Sequence, residues 1–492
     1  MQPTTNAQQT ITLIRGLTLI AAISIIIGNV IGTGVFLKAR VMTCNVGTPG
    51  MVVTVWVVAG LLSLAGALTY AELSAMMPRA GGEYVFVREA YGSGASFLYG
   101  WMQVFIAKTG SQASVAVALA IFMNDLTGGA LNATFFSYPL FGKSVPFGML
   151  QVVALSSIII FTIVNCAAVV VSGWVATALT CVKIALVLGI GLGAFLLADG
   201  DWGHFAMTNA GGACEGVSET ARWGVAGFAA AMLGALWGYD GWNNLTLVAG
   251  EIKNPQRNVP LALIGGTITI ILLYVFINVA YFYALDPTAV ASVSANSSVA
   301  AEVTRSFMAS FGEGAQRSVA GLIAAALMAS SIGTLHTSIL TGARVPYAMA
   351  RDGLFFQGLA RLNPKTRVPV GALIVQGVWA CVLALSGSFD TLTNYVIFGS
   401  WIFYGLVTGS IFILRRRMPH AARPYRAWGY PVVPVLFLLV TGFLLVMTLQ
   451  TSPVEALVGL GLIALGLPVY YFFFRHKRIA DTQSATGDDE GV

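Results

Sequence analysis

Three glycines within seven residues, Gly28, Gly32 and Gly34, interrupt the apolar run 17–37 in the stretch Gly-Asn-Val-Ile-Gly-Thr-Gly-Val-Phe (28–36). Each costs a helix about 1 kcal/mol relative to alanine. Hydrocarbon holds no water to satisfy the backbone groups that a broken helix frees. A break here therefore requires a cavity or a ligand. Bare N–H groups on one half-helix and bare C=O groups on the other suit a small zwitterion, carboxylate to the first and ammonium to the second. A second apolar run contains Leu236-Trp-Gly-Tyr-Asp-Gly-Trp-Asn-Asn244 and poses the same problem.

Lys183 is the next residue that could do chemistry. It lies roughly ten residues into an apolar run, about 15 Å deep at 1.5 Å per residue. An ammonium there costs at least about 2.5 kcal/mol and needs partners. Carbonyls freed by a broken helix are natural acceptors, as are Ser330 and Ser331. Held in such a nest, the ammonium can replace a bound sodium ion. Its central depth argues against a snorkelling lysine. Lys108, also in an apolar run, is assigned a structural role near Gln112 or another polar group of the bundle.

The elements that must position these residues are membrane spans. The chain is 57% hydrophobic and 9% charged, against about 25% charged in soluble domains. Twelve candidate spans fall at about 15–38, 48–77, 97–124, 146–166, 173–198, 222–247, 259–285, 317–345, 368–387, 390–414, 431–450 and 453–474. The fold expected is an all-α polytopic bundle. Its breaks occupy spans one and six, five apart, so the two broken helices cross in opposite directions. That is the pattern of two inverted five-helix repeats with a site at their interface. The repeats are 15–198 and 222–414, followed by two helices in 431–474, with tails 1–14 and 475–492. The run from Leu17 lacks a clear cleavage site and is not read as a signal peptide.

With twelve spans the termini share a side. That side collects eighteen of the 26 basic residues, including Arg79, Arg88, Arg344, Lys365, Arg367, Arg415 and Arg475. The opposite side holds six: Lys38, Arg40, Lys143, Arg222, Arg305 and Arg317. The positive-inside rule makes both termini cytoplasmic, in a plasma (inner) membrane. The net charge of +6 thus reports topology rather than nucleic-acid binding. Residues 84–99 read as a short helix at the inner surface, 286–316 as a long outer loop with a helix near 299–310, and the tail from Asp481 as disordered.

Five scattered cysteines exclude a disulfide framework and a metal site. Cys44 and Cys214 both fall in expected outer loops; a bridge between them is disfavoured because sequence does not fix their separation. An enzyme is disfavoured. The four histidines form no His-Glu-x-x-His pattern, Phe-Gly-Lys-Ser (141–144) lacks the first glycine of a phosphate loop, and Gly189-Ile-Gly-Leu-Gly193 sits inside a span. No cofactor is expected. A channel or receptor would pass or bind substrate without exchange.

These residues resemble the amino acid–polyamine–organocation superfamily and, within it, the L-type amino acid transporter family, over about 17–474. The matching motifs are 28–36, Pro-Arg-Ala-Gly-Gly-Glu-Tyr (78–84), Tyr-Asp-Gly-Trp-Asn (239–243), Glu-Ile-Lys-Asn-Pro (251–255), Arg344 with Ala-Arg-Asp-Gly (350–353), Ser-Pro-Val-Glu (452–455) and Gly-Leu-Pro-Val-Tyr-Tyr-Phe (466–472). The resemblance implies that Gly32, Thr33 and Gly34 meet the substrate carboxylate. It implies that carbonyls of Val30, Trp237, Gly238 and Asp240 meet its ammonium, and that Trp237 closes the site from outside. Asn243 would lie near the substrate, and Phe398 and Trp401 would border its side-chain pocket. Lys183 with Ser330 would replace a sodium site, giving a sodium-independent exchanger of L-amino acids.

Two departures matter. Asp240 stands where many animal members carry glycine or serine, and His336 where several carry asparagine. A carboxylate of Asp240 facing the pocket would favour cationic substrates. Turned away as a cap it leaves neutral ones, the arrangement favoured here. The loop 126–145 has no cysteine for a disulfide-linked heavy subunit, so a single-subunit bacterial protein is expected, monomer or homodimer. A proton-coupled symporter is the alternative, with Glu72, Asp240 or a transiently neutral Lys183 carrying the proton.

Overall fold

The computed structural model describes residues 16–78, 81–140, 143–167, 173–308, 312–363, 368–387 and 389–474. Arg15, Arg79, Lys365, Arg367, Arg475, Lys477, Arg478 and the tail from Asp481 lie outside the described residues.

Apolar composition demands that backbone polar groups be satisfied within each segment, and helices result. Helix α1 (Leu19–Val30) begins where the Thr18 hydroxyl accepts from the N–H of Ala21. After the break, α2 (Gly34–Val46) leaves at 43° to α1. Thr48 caps α3 (Pro49–Met76), with Pro49 in its first turn. The short α4 (Glu83–Tyr91) precedes α5 (Ser93–Met102), which runs through a π-helical segment, Gln103–Ala107, into α6 (Lys108–Leu126). Helices α7 (Met149–Ala167), α8 (Gly173–Leu197), α9 (Gly224–Tyr239) and α10 (Pro255–Ala284) follow. Short α11 (Pro287–Ser292) and α12 (Val299–Met308) precede α13 (Gly312–Gly342), α14 (Arg344–Arg351), α15 (Val370–Ala384) and α16 (Phe389–Arg417). The chain closes with α17 (Val432–Thr451), α18 (Pro453–Ala464) and α19 (Gly466–Val469).

Among the described residues nine helices are long and apolar enough to cross a membrane, or ten if the bent pair α1–α2 is one span. The shorter apolar α15 overlaps a further segment read from hydropathy, and α9 lies within another. One element departs from all-α: an antiparallel hairpin, β1 (Thr134–Leu140) with β2 (Lys143–Gly148). Residues 84–99 are not one surface helix. Tyr84, Val85, Phe86 and Val87 are buried, and the chain turns at Gly92 into the span beginning at Ser93.

Helix α2 runs to Val46, past the end expected near residue 38, because nothing in 35–46 stops it before Gly47 adopts a left-handed conformation. Lys38 and Arg40 are therefore buried on a helix rather than exposed in a loop. Cys44 is carried on the same helix to Cys214, and the two are bridged, with Cα atoms 5.6 Å apart. This corrects the expectation that disfavoured the bridge: loop 199–221 folds back over the end of α2.

Candidate functional site

The site begins where the two broken helices cross. A Cβ at Gly34 would lie 2.6 Å from the Cα of Gly238, so the two backbones touch only because both positions are glycine. Past this crossing α9 stops. Asp240 is extended, Gly241 is left-handed at φ 104°, and the chain resumes as a 3-10 segment, Trp242–Glu251.

The freed groups have distinct fates. The N–H groups of Gly32, Thr33 and Gly34, at the start of α2, take no protein partner among the described residues. All three residues are buried. Unpaired buried donors at a helix start form an anion site. The carbonyls of Val30 and Gly238 are both approached by the Tyr274 hydroxyl of α10, at 2.8 Å each. The Trp237 carbonyl accepts from the N–H of Asp240. Tyr274 thus ties the two breaks together. Tyr274→Phe is expected to remove the one hydroxyl proton that the two carbonyls share and to destabilise the crossing by about 1–3 kcal/mol. The measurement is a lowered melting temperature; an unchanged value would remove Tyr274 from the site.

Beneath the crossing lies a cavity of about 40 Å³, room for roughly three waters at about 10–15 Å³ each. Its wall is polar: Asn29, Lys108, Asp240, Asn244, Thr334 and Tyr404 contribute, with further hydroxyls from Ser111, Ser338, Thr341 and Ser400. Asp240 faces this cavity, contrary to the favoured expectation, although its carboxylate is also held by the Tyr404 hydroxyl at 2.7 Å. Lys108 faces it too and donates to Asn244 Oδ1 at 2.7 Å, so of the two expected kinds of partner it takes another polar group of the bundle, while Gln112 bonds the Ser338 carbonyl.

Lys183 is buried between α1 and α13. Its ammonium donates to the Gly28 carbonyl at 2.7 Å and to Thr334 Oγ1 at 2.8 Å. The hydroxyl partner is Thr334, one turn beyond Ser330. Ser330 and Ser331 are buried, and the Ser330 hydroxyl makes no hydrogen bond among the described residues. Gly28 lies two residues before the end of α1, where the helix dipole favours a cation.

The other expected residues divide. The Trp237 indole N–H donates to Thr33 Oγ1 at 3.3 Å, and its ring meets Phe389 edge-on at 6.0 Å. Asn243 is buried and donates to Glu83. Phe398 packs against Gly459 of α18, and Trp401 stacks on Phe437 of α17. Both therefore face the two C-terminal helices. Ser400 and Tyr404 of the same helix line the cavity instead.

Polar clusters join helices at two further places. At one, Lys38 reaches Asp390 at 2.7 Å and Thr393 at 2.6 Å, and Arg40 reaches Asp390 at 3.2 Å and the Glu215 carbonyl at 2.7 Å. At the other, Asp352 accepts from Tyr84 at 2.9 Å and Arg88 at 3.1 Å. Sequence reading missed Tyr274, Thr334, Tyr404 and the Lys38–Asp390 pair. Only Lys38 and Asp390, charged residues flanking apolar runs, carried a signal.

A helical membrane bundle with a polar centre at two crossed helix breaks has the architecture of a carrier. The comparisons with known proteins agree. A family model described as amino acid permease matches residues 17–474, and the chain belongs to that family. It is 29% identical to the human b(0,+)-type amino acid transporter 1 over 96% of this chain and 91% of the relative. It is 30% identical to the human large neutral amino acids transporter small subunit 2, over 93% and 81%. The serine/threonine exchanger SteT of Bacillus subtilis (strain 168) is 31% identical over 93% and 97%. The motif-based resemblance stated above is thereby shown, and the chain is an amino acid transporter rather than an enzyme.

Proposed function

We propose that this chain exchanges small, polar, neutral L-amino acids by alternating access without sodium. The observation that carries the reading is the Lys183 ammonium, fixed between the broken helix and α13 at Gly28 and Thr334. A cation built into the chain removes the need for a dissolved one. The three unpaired N–H groups at Gly32–Gly34 supply a carboxylate site, and a wall of hydroxyls and amides favours a polar side chain. Lys108 and Asp240 share that wall, so their charges offset one another for a neutral substrate. The serine/threonine exchanger among the relatives supports the same size and polarity. Two inverted repeats, 15–198 and 222–414, provide the rocking element. Both termini are cytoplasmic in the plasma membrane by the charge distribution. The chain acts without a disulfide-linked heavy subunit.

Asp240 at the cavity wall supports a second reading in which cationic amino acids also enter, their side chain meeting that carboxylate. Reconstituted full-length protein distinguishes the two. Labelled L-serine should enter vesicles preloaded with L-serine and scarcely enter empty ones, with or without sodium. Competition by L-arginine as strong as that by L-serine would favour the second reading. Uptake into empty vesicles that requires a sodium gradient would overturn the exchange reading.

A further inference from the structure

Glu83 is a buried carboxylate that the reading above leaves unused. It opens α4, outside the spanning helices, and is 1% exposed. Its oxygens accept from the Tyr99 hydroxyl at 2.7 Å and from the Asn243 side-chain amide. No cation lies within ion-pairing distance of it among the described residues. The carboxylate the sequence had offered as a proton carrier, Glu72, is different in kind. It is gripped by Arg415 at 2.9 and 2.6 Å, lies 3.5 Å from Arg423, and accepts from the N–H of Ala427.

Glu83 belongs electrically to the substrate cavity. Asn243 donates to it and also accepts from Tyr404 at 3.4 Å, while Tyr404 holds Asp240. The groups whose charge or hydroxyl bears on Glu83 are Tyr70 of α3, Tyr99 of α5, Lys108 of α6, Asp240 after α9 and Tyr404 of α16. The charged ones sum to one positive and two negative. With both carboxylates ionised, the closed site would carry one uncompensated negative charge, an arrangement that burial strongly disfavours. Burial accordingly raises the Glu83 carboxyl to about 7, against the lowering effects of Tyr99, Asn243 and Lys108.

We propose that Glu83 is a proton-binding site of the transport cycle. It takes one proton from solution when the site closes around a neutral amino acid and returns it when the site reopens. This rests on the reading of the cavity as an amino acid site and adds the proton as a second ligand. Open and wetted, the site tolerates the extra negative charge; closed, it requires the proton. A cationic side chain beside Asp240 would supply the same charge, so that substrate would travel with Glu83 ionised. The closed site then has the same net charge, zero, whichever substrate it holds.

The sign follows from the raised carboxyl. Glu83 is mostly protonated below about pH 7 and mostly ionised above it. Exchange of L-serine by the reconstituted full-length chain, with equal pH on both sides, should fall at least about tenfold between pH 5.5 and 8.5. Glu83→Gln, fixed neutral, should flatten that profile. A second measurement covers a variant that does not fold. Binding of L-serine to the wild-type protein at pH 6, where an open, wetted carboxyl is ionised and the closed one is protonated, should in two buffers of different ionisation heat show uptake of close to one proton. A flat wild-type profile, a Glu83→Gln variant that keeps the wild-type slope, or serine binding without proton uptake would each overturn the proposal. Absence of serine binding and exchange at every pH would instead refute the carrier reading on which it stands.

Discussion

Lys183→Ala is expected to slow exchange by about 30-fold or more while the protein still inserts and folds. The ammonium is the donor that joins the Gly28 carbonyl to Thr334 across two helices. Without it both acceptors lose a partner in a buried place, at about 1–3 kcal/mol each. Even the lower sum, about 2 kcal/mol, is near a 30-fold change, since 1.4 kcal/mol is tenfold. Thr334 Oγ1 also donates to the Ser330 carbonyl at 3.0 Å, so part of its bonding survives and the helix itself should stay intact. The penalty therefore falls on the packing of α1 against α13 and on the closed form. The check is turnover in proteoliposomes beside detergent-solubilised melting temperature. Normal turnover would show that the ammonium only fills space, and restoration by added sodium would show that it mimics a dissolved ion.

The second large effect is expected at the opposite end of the site. Asp390 neutralises two buried cations, Lys38 and Arg40, and its side chain is 33% exposed while that of Lys38 is 2% exposed. Lys38 also lies over the Phe389 ring at 4.8 Å, and that ring packs on Trp237. Opening this face separates α2 from α16 and lets water reach the cations. Asp390→Ala removes the anion only from the closed form, where stranding a buried charge costs about 3–5 kcal/mol. The protein should then rest with this face open. Turnover should drop at least about 100-fold, and a thiol reagent should reach a cysteine placed at Thr33 faster than in the parent. The triple replacement Lys38→Met, Arg40→Met and Asp390→Leu exchanges the whole buried ion cluster for apolar contact and should recover part of the turnover. Unchanged labelling of the Thr33 position in Asp390→Ala would show that the cluster does not gate.

The two predictions act on unequal grounds. Lys183 was visible in the sequence because a lone ammonium deep in an apolar run has few acceptable surroundings. The identity of its hydroxyl partner was not visible. Ser330 and Thr334 are one turn apart on α13, and the rotation of that helix about its axis decides which meets the ammonium. The same rotation separates Phe398 and Trp401, which turn to α18 and α17, from Ser400 and Tyr404, which face the cavity. Apolar patterning does not report rotation where one face of a helix meets lipid and the other meets protein, because both can be apolar.

The sequence by itself determined the class, the positions of the two breaks and the presence of a deep ammonium. Each is a local violation of what hydrocarbon allows, and such violations are visible without knowing any neighbour. Tertiary structure alone decided that α2 continues to Val46, that Cys44 meets Cys214, that Tyr274 ties Val30 to Gly238, and that Asp240, Lys108 and Glu83 share one charge balance. These depend on which surfaces face each other across long separations in the chain. The energy of a buried charge is set by the neighbours that packing brings to it.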